Sequence, residues 1–369
     1  MTNEPFEIFL ATYPGLEDVL LKEAETLRFS NPQKTPGGVV FRGLWPDVWR
    51  ANLQVRGASR VLARIAEFRA MHPAQLDKRA RKVEWDAVLR PAIPVRVEAT
   101  CKQSRIYHAG AARERVERAI TETIGAPVTK DAATTVRVRI EDDLCTISVD
   151  TSGPLLHQRG HKQAVNKAPL RETLAALLLS KCGFDGEEPV VDPMCGSGTF
   201  VLEAAEIHAG LNPGRSRNFA FEDFASFESE QWSALRNTQA AGGTSQYFGF
   251  DRDQGAIAMC GQNADRADVG HLTQFKQQAV NMLEPPCETP GLVMVNPPYG
   301  ARIGNKKMLY GLYASLGERL KASFAGWRVG MITTEKGLAR ATGLPFNEES
   351  APIPNGGLKI RLYQSKTLR

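Results

Sequence analysis

At 369 residues, 42% hydrophobic and 24% charged, the chain has the composition of a globular protein with ample core, long enough for two domains and a smaller third module. Its longest strongly apolar run, LAALLL at 174–179, is far too short to cross a bilayer, and MTNEPFEIFLATYP lacks a basic region followed by a long apolar one, so neither a membrane span nor a signal peptide is expected. The net charge of +5 is uneven: residues 1–162 carry 25 Lys+Arg against 20 Asp+Glu, residues 163–369 carry 21 of each, and the window 50–118 holds 16 against 7.

A charge excess often makes only a solvated face. Concentrated in one half of the chain, it also suits a polyanionic partner, nucleic acid first. The cysteines at 101, 145, 182, 195, 260 and 287 form no CxxC pair and no metal-ligand spacing, so reduced thiols in a cytoplasmic protein are expected. His157 and His161 lie four apart, but HQRGH contains a glycine and no acidic ligand. No metal is expected there.

In chain order, FEIFLATYP reads as a strand and GLEDVLLKEAETLR as an amphipathic helix with Leu16, Val19, Leu20 and Leu27 on its apolar side. GGVVFRG is a second strand, and Pro46 opens a helix over WPDVWRANLQV. RVLARIAEF is a strand, and PAQLDKRARKVEW a helix with Lys78, Arg79, Arg81 and Lys82 on or near one exposed side. PVRVEATCK and TTVRVRIEDDLCTISVDTSG alternate at the strand period, with Asp142-Asp143 as a hairpin turn; between them AARERVERAITETIG is a helix ending at Gly125.

From about residue 165, strands alternate with long helices, which predicts a parallel sheet. The helices are PLRETLAALLLSKCG, GTFVLEAAEIHAG, QGAIAMCGQNADRA and MLYGLYASLGERLKASF; the strands are EPVVDPM, QYFGFD, LTQFKQQAV, GLVMVN and WRVGMITT. LKIRLYQSK alternates like an antiparallel edge strand closing the sheet. Residues 212–245 are an insertion, in which Phe219, Phe221, Phe224 and Phe227 are expected to pack on one another rather than flank a substrate.

Four motifs fall at the carboxyl ends of successive predicted strands, the edge where open α/β sheets bind ligands. VVDPMCGSGTF ends a strand in Asp192 and turns through Gly196-Ser197-Gly198 into a helix whose N-terminus offers free amides. Val201 stands where a dinucleotide loop has its third glycine, and no GxxxxGK[ST] loop occurs. GFDRD ends the next strand in Asp251, suited either to a ribose diol or to capping the following helix. QQAV, 277–280, ends a third strand where an adenine ring could lie. Asn296-Pro297-Pro298-Tyr299 ends a fourth: two prolines forbid both ladder and helix, so an amide and an aromatic ring are held stiffly, as a clamp for a flat, amine-bearing ring.

DPMCGSGTF, GFDRD and NPPYG resemble motifs of class I S-adenosylmethionine-dependent methyltransferases that methylate exocyclic amines of nucleobases. With LHQRGHK, APLRETLAA, NPPYGARI and the late NGGLKIRLYQ in the family's order, the chain is similar over nearly its whole length to bacterial 23S rRNA guanine-N2 methyltransferases of the RlmL type. The resemblance implies a ferredoxin-like segment over 1–58, a THUMP RNA-binding domain over 59–160 and a class I methyltransferase domain over 161–369. That domain would be Rossmann-like, with a mostly parallel seven-stranded sheet and an antiparallel edge strand. Bifunctional members carry a second methyltransferase domain; this chain ends before one, so only the guanine-N2 activity is implied.

Carried over by motif, Asp192, Gly196, Ser197 and Gly198 would hold the methionine moiety of S-adenosylmethionine and Asp251 its ribose. Gln278 and Ala279 would lie at the adenine, with Gln278 where members often place an Asp. Asn296, Pro297 and Tyr299 would be catalytic, Asn296 also bordering the cofactor, and Cys195 would only pack. Lys78, Arg79, Arg81, Lys82, Lys102, Arg105 and Arg113, with Arg159 and Lys162 near the domain junction, are the candidate RNA contacts. The expected product is N2-methylguanosine in 23S rRNA. The alternatives are the same reaction on tRNA or a non-catalytic ribosome-assembly factor. Adenine-N6 methylation of DNA fits a THUMP-like module poorly.

Overall fold

The computed structural model describes residues 4–164, 170–236, 246–299 and 306–369. They divide into two compact units. The first holds residues 4–12, 20–156 and 217–236; the second holds 13–19, 157–164, 170–216, 246–299 and 306–369.

In the first unit β1 (Phe6–Ala11) leads into α1 (Glu17–Thr26), whose later turns bury Leu20 and Ala24. A hairpin of β2 (Gln33–Thr35) and β3 (Gly38–Gly43) follows, then α2 (Trp45–Gln54) and β4 (Arg60–Arg69). The helix α3 (Pro73–Ala80) stops short of its expected end; residues 85–87 form a separate 3₁₀ turn that buries Trp85. Next come β5 (Val95–Lys102), α4 (Ala109–Ile124), β6 (Thr134–Glu141) and β7 (Leu144–Asp150). Asp142 and Asp143 both take positive φ, 49° and 62°, as a two-residue hairpin requires. The seven strands form one sheet, β2-β3-β1-β4-β7-β6-β5. The expected division between residues 58 and 59 falls just before β4, which pairs with β1 on one side and β7 on the other, so the sheet runs through that point unbroken.

Residues 217–236, which end in α7 (Ser229–Arg236), belong to this first unit rather than to the second, whose sequence they interrupt. The reason is aromatic packing. Phe219 stacks on Phe221 at 5.2 Å, Phe221 meets Trp232 edge-on at 5.0 Å, and Trp49 of α2 lies against Phe221 and Phe227. Phe221 and Phe224 are fully buried. The four phenylalanines therefore serve the core of the first unit, as aromatic pairs with large buried faces do.

The second unit opens with α5 (Glu172–Lys181), buried almost all round. It continues with β8 (Val190–Asp192), α6 (Thr199–His208), β9 (Tyr247–Asp251), α8 (Gln254–Arg266), β10 (Thr273–Gln277) and β11 (Leu292–Val295). After α9 (Lys306–Ser323) come β12 (Arg328–Thr333), α10 (Lys336–Ala341), β13 (Phe346–Glu349), β14 (Ile353–Asn355) and β15 (Leu358–Ser365). The sheet runs β10-β9-β8-β11-β12-β15-β13, with β14 hairpinned onto β15. Pairing is parallel from β10 to β12 and antiparallel onward.

The strand 358–365 is thus antiparallel as expected, but it is not the edge: β13 covers it. Periodicity showed its direction of packing but not its neighbour, because β13 is only four residues long and reads as polar. Among the described residues no helix is long and apolar enough to cross a membrane.

Candidate active site

The parallel register brings all four motifs to one edge of the sheet, with Gln277 paired to Asp251 and the Gln278 amide donating to the Asp251 carbonyl at 2.8 Å. β8 pairs with β9 through Asp192–Gly249 and with β11 through Val191–Val293, so Asp192, Asp251 and Asn296 end neighbouring strands on one edge. Gly196 and Gly198 take φ of 55° and 84°, the left-handed region that side chains disfavour. A Cβ on Gly196 would meet nothing within 4 Å, so the turn faces open space; one on Gly198 would come within 3.1 Å of the Cys260 sulfur. The first glycine gives room for a ligand, and the second lets the turn sit down on α8. The turn is tied to the sheet by the Cys195 amide, which donates to the Phe250 carbonyl at 2.9 Å.

Asp251 does more than the sequence suggested. Its Oδ2 accepts from the Gly196 amide at 3.0 Å, and its Oδ1 from the Asp253 amide at 3.0 Å. The helix-capping role falls to Asp253, whose side chain accepts from Gly255 at the start of α8. Asp251 therefore locks the glycine turn to β9, and each of its oxygens keeps a further lone pair able to accept. Asp192 is 3% exposed. Burial pushes its carboxyl up to about 8; the Met194 amide, donating at 3.0 Å, opposes that shift, and the Asp251 charge adds to it.

Ser197 is buried, its carbonyl accepting from the Asn263 amide group at 3.3 Å. Gln278 spends its side-chain amide donor on the Met282 carbonyl at 2.6 Å, which leaves its side-chain oxygen as the acceptor; Ala279 beside it is exposed. Cys195 packs against Cys260, Ile257 and Phe275, its sulfur 3.8 Å from that of Cys260. That contact with Cys260, and burial after it, push its thiol well up, the opposite of what a nucleophile needs.

At the Asn-Pro-Pro-Tyr corner, the Asn296 Oδ1 is shielded from water and has no hydrogen-bond partner among the described residues. Pro297 is buried, and Tyr299 packs partly into the core of the second unit. Two side chains that the sequence did not flag reach the corner. The Tyr313 hydroxyl of α9 donates to the Pro298 carbonyl at 3.3 Å, and the Asn355 amide of β14 donates to the Tyr299 hydroxyl at 3.5 Å. Tyr313 sits in an apolar helical stripe that reads as plain core. Asn355 opens NGGLKIRLYQ, the one signal that could have drawn notice. Ala168, Pro169 and Gly300–Ile303 of the quoted motifs lie outside the described residues.

The basic candidates separate into two groups. Arg159 and Lys162 are not surface contacts. Arg159 is buried with its Nε 3.2 Å from Glu203, whose charge keeps the guanidinium protonated although burial opposes it. The Lys162 ammonium meets Glu172 at 2.8 Å and the Leu170 carbonyl and Thr199 hydroxyl at 3.0 Å each, which uses all three protons. His161 pairs with Glu206 at 2.9 Å. LHQRGHK therefore threads a buried ionic layer against α5 and α6. A charge enters an interior only with such partners, and Glu203, the partner of Arg159, lies 44 residues away in sequence.

The others lie on the first unit. Lys78 and Lys82 are exposed, while Arg79 donates to the Arg69 carbonyl. Arg81 is engaged by Asp77 and Glu122, Lys102 by Glu141, Arg105 by Asp143 and Arg113 by Glu117. Among the described residues no group of three or more His, Cys, Asp or Glu could hold a metal ion.

Known proteins share the family and fold of this chain. The family model described as RMKL-like, methyltransferase domain, matches residues 159–364, and that of the RlmL ferredoxin-like domain matches residues 7–62. A putative RNA methyltransferase of Synechocystis sp. is 30% identical over 98% of this chain and 97% of its own length. The ribosomal RNA large subunit methyltransferase K/L of Syntrophotalea carbinolica is 33% identical over 98% of this chain, which spans 53% of that relative. A crystal structure of a putative methyltransferase complexed with SAH superposes with a TM-score of 0.88 at 25% identity, over 100% of both chains. The open Gly196 turn, the Asp251 carboxylate and the acceptors at its rim fit the cofactor of this fold. The chain belongs to the RMKL-like methyltransferase domain family, with a Rossmann-like fold and S-adenosylmethionine as its methyl donor.

Proposed function

We propose that the protein methylates the exocyclic N2 of a guanosine in 23S rRNA, giving N2-methylguanosine, in the bacterial cytoplasm. The observation that carries this reading is the Asn296 Oδ1: an acceptor kept from water, without a donor among the described residues, on the strand next to the glycine turn. Such an atom is costly unless something arrives to satisfy it. An exocyclic amine is a donor of the right kind. The relatives named as ribosomal RNA large subunit methyltransferases favour rRNA as the source of that amine, and the resemblance of the Asn-Pro-Pro-Tyr motif favours guanosine.

The N2 amine of guanine is a poor nucleophile, because its lone pair is delocalised into the ring. Hydrogen bonds from it to Asn296 Oδ1 and the Pro297 carbonyl would turn the lone pair outward. They would also stabilise the positive charge that grows on nitrogen. Neither proline can donate from its backbone, so the corner presents acceptors and holds them stiffly. S-adenosylmethionine supplies an electrophilic sulfonium methyl when bound. Tyr299 would stack on the flipped base, and the methylated ammonium is acidic enough to shed its proton without a strong base.

Asp192 with the glycine turn would hold the methionine moiety, Asp251 the ribose and Gln278 the adenine. Residues 59–156 would form a THUMP module, with RNA held through Lys78, Arg79, Arg81, Lys82, Lys102, Arg105 and Arg113.

Mass-spectrometric mapping of rRNA and tRNA from a strain lacking the protein tests the reading. One N2-methylguanosine should vanish from 23S rRNA; loss from tRNA instead would redirect the substrate, and an unchanged map would refute the activity. Binding of the full chain to 23S rRNA should weaken steeply with salt, by roughly 0.7–0.9 decades in affinity per decade of salt for each phosphate contact. Replacing Lys78 and Lys82 by glutamate should lower that slope by about one to two. A flat salt response would remove the basic face from the account.

A further inference from the structure

The Asn-Pro-Pro-Tyr corner is stiff within itself but has little backbone hydrogen bonding to anchor it to its surroundings. Pro297 and Pro298 carry no amide hydrogen, so the segment has no N–H at two successive positions with which to pin itself. Yet methyl transfer needs its acceptors fixed to well within an ångström.

We infer that Tyr313 and Asn355 are the positioning residues of this corner: Tyr313 holds the Pro298 carbonyl and Asn355 holds the Tyr299 ring. The inference rests on the proposed role of Asn296. The Tyr313 hydroxyl lies 3.3 Å from the Pro298 carbonyl and 3.2 Å from the Thr333 hydroxyl. A carbonyl only accepts, so the single Tyr313 proton points at Pro298. Thr333 must then donate its own proton to the Tyr313 oxygen.

Thr333 ends β12, the strand paired in parallel with β11, so this short chain of hydroxyls is anchored in the sheet beside Asn296. Tyr313 and Leu316 of α9 are fully buried, which fixes the phenol as a strut. Burial raises both Tyr313 and Tyr299 above the ordinary phenol range, so each keeps its proton and Tyr313 stays a donor. On the other side, β14 and the glycine turn at 356–357, with φ of 56° and 84°, bring the Asn355 amide to 3.5 Å from the Tyr299 hydroxyl. Among the described residues β14 pairs with β15 alone.

The test uses the full chain, tritiated S-adenosylmethionine and 23S rRNA transcribed in vitro. Tyr313→Phe keeps the ring and its packing and removes only the hydroxyl. Turnover should fall about tenfold to a hundredfold, with RNA KM and cofactor affinity nearly unchanged and the melting temperature lowered only modestly by the lost hydroxyl contacts. Thr333→Val should follow Tyr313→Phe, Thr333→Ser should restore turnover, and the Tyr313→Phe/Thr333→Val double variant should be no worse than either single one. Asn355→Ala should lower turnover independently of that pair.

Turnover within twofold of the parent for Tyr313→Phe, while Asn296→Ala is inactive, would overturn the positioning role alone. Full turnover in both would instead remove the reading of Asn296 on which it rests. A fall matched by lost melting temperature and weakened cofactor binding would show that the hydroxyl serves the fold, not the corner.

Discussion

Asn296→Ala should abolish methyl transfer, lowering turnover by about a hundredfold or more, while S-adenosylmethionine affinity changes by less than about threefold. The lost oxygen is the acceptor that would aim the amine, and aiming matters only once the base is seated. Stability offers a second and independent readout. A shielded acceptor without a partner costs about 1–3 kcal/mol, so its removal should leave the melting temperature unchanged or slightly raised. Isothermal titration with the cofactor, single-turnover transfer to 23S rRNA and a thermal melt together check the claim. A variant that loses cofactor binding in step with turnover would make Asn296 a cofactor residue rather than an amine-orienting one. Near-normal turnover would reject both roles.

Asp192→Asn should remove most cofactor affinity and yet stabilise the cofactor-free protein at alkaline pH. Burial holds the Asp192 carboxyl at about 8, against an ordinary 3.8. The folded chain therefore keeps that proton across the interval from 3.8 to 8, while the unfolded chain gives it up. The resulting stabilisation is fully present below the ordinary value and is lost as pH rises through the folded one. Above pH 8 the folded protein carries an ionised carboxylate in its interior. An amide has no such charge, so the melting-temperature advantage of Asp192→Asn should grow as pH rises toward 8 and level off above it.

The cationic methionine moiety favours the ionised carboxylate. Binding below pH 8 should thus release a proton, and affinity should rise up to about tenfold per pH unit until it levels near 8. Titration calorimetry in buffers of different ionisation enthalpy measures the released proton directly. An affinity independent of pH, or a melting-temperature difference that does not change with pH, would take Asp192 out of this role.

The chemistry of the site was legible because each of its motifs is constrained within a few residues. A glycine is needed where φ is positive and a ligand approaches; two prolines stop a strand and withdraw its donors; an aspartate closing an apolar strand lands on the sheet's carboxyl edge. Those constraints lie in covalent geometry, and no distant partner has to be known to apply them. The sheet order then set Asp192 between Asp251 and Asn296, an arrangement that their order along the chain does not give.

What escaped were decisions made by residues far apart. Arg159 and Lys162 look like any surface cations until Glu203 and Glu172 are packed against them. A carboxylate 44 residues away decides whether an arginine lies inside or out. The same holds for the aromatic insertion, which joined the first unit because Trp49 lies there, and for the terminal strand, whose outer neighbour β13 carries almost no apolar signal. Tyr313 and Asn355 were invisible for a related reason: a hydroxyl in an apolar helix and an amide before two glycines mean nothing until the corner they touch is folded. Local backbone geometry is written in the chain itself, whereas the partner of a charge or hydroxyl is settled by whichever long-range packing buries it.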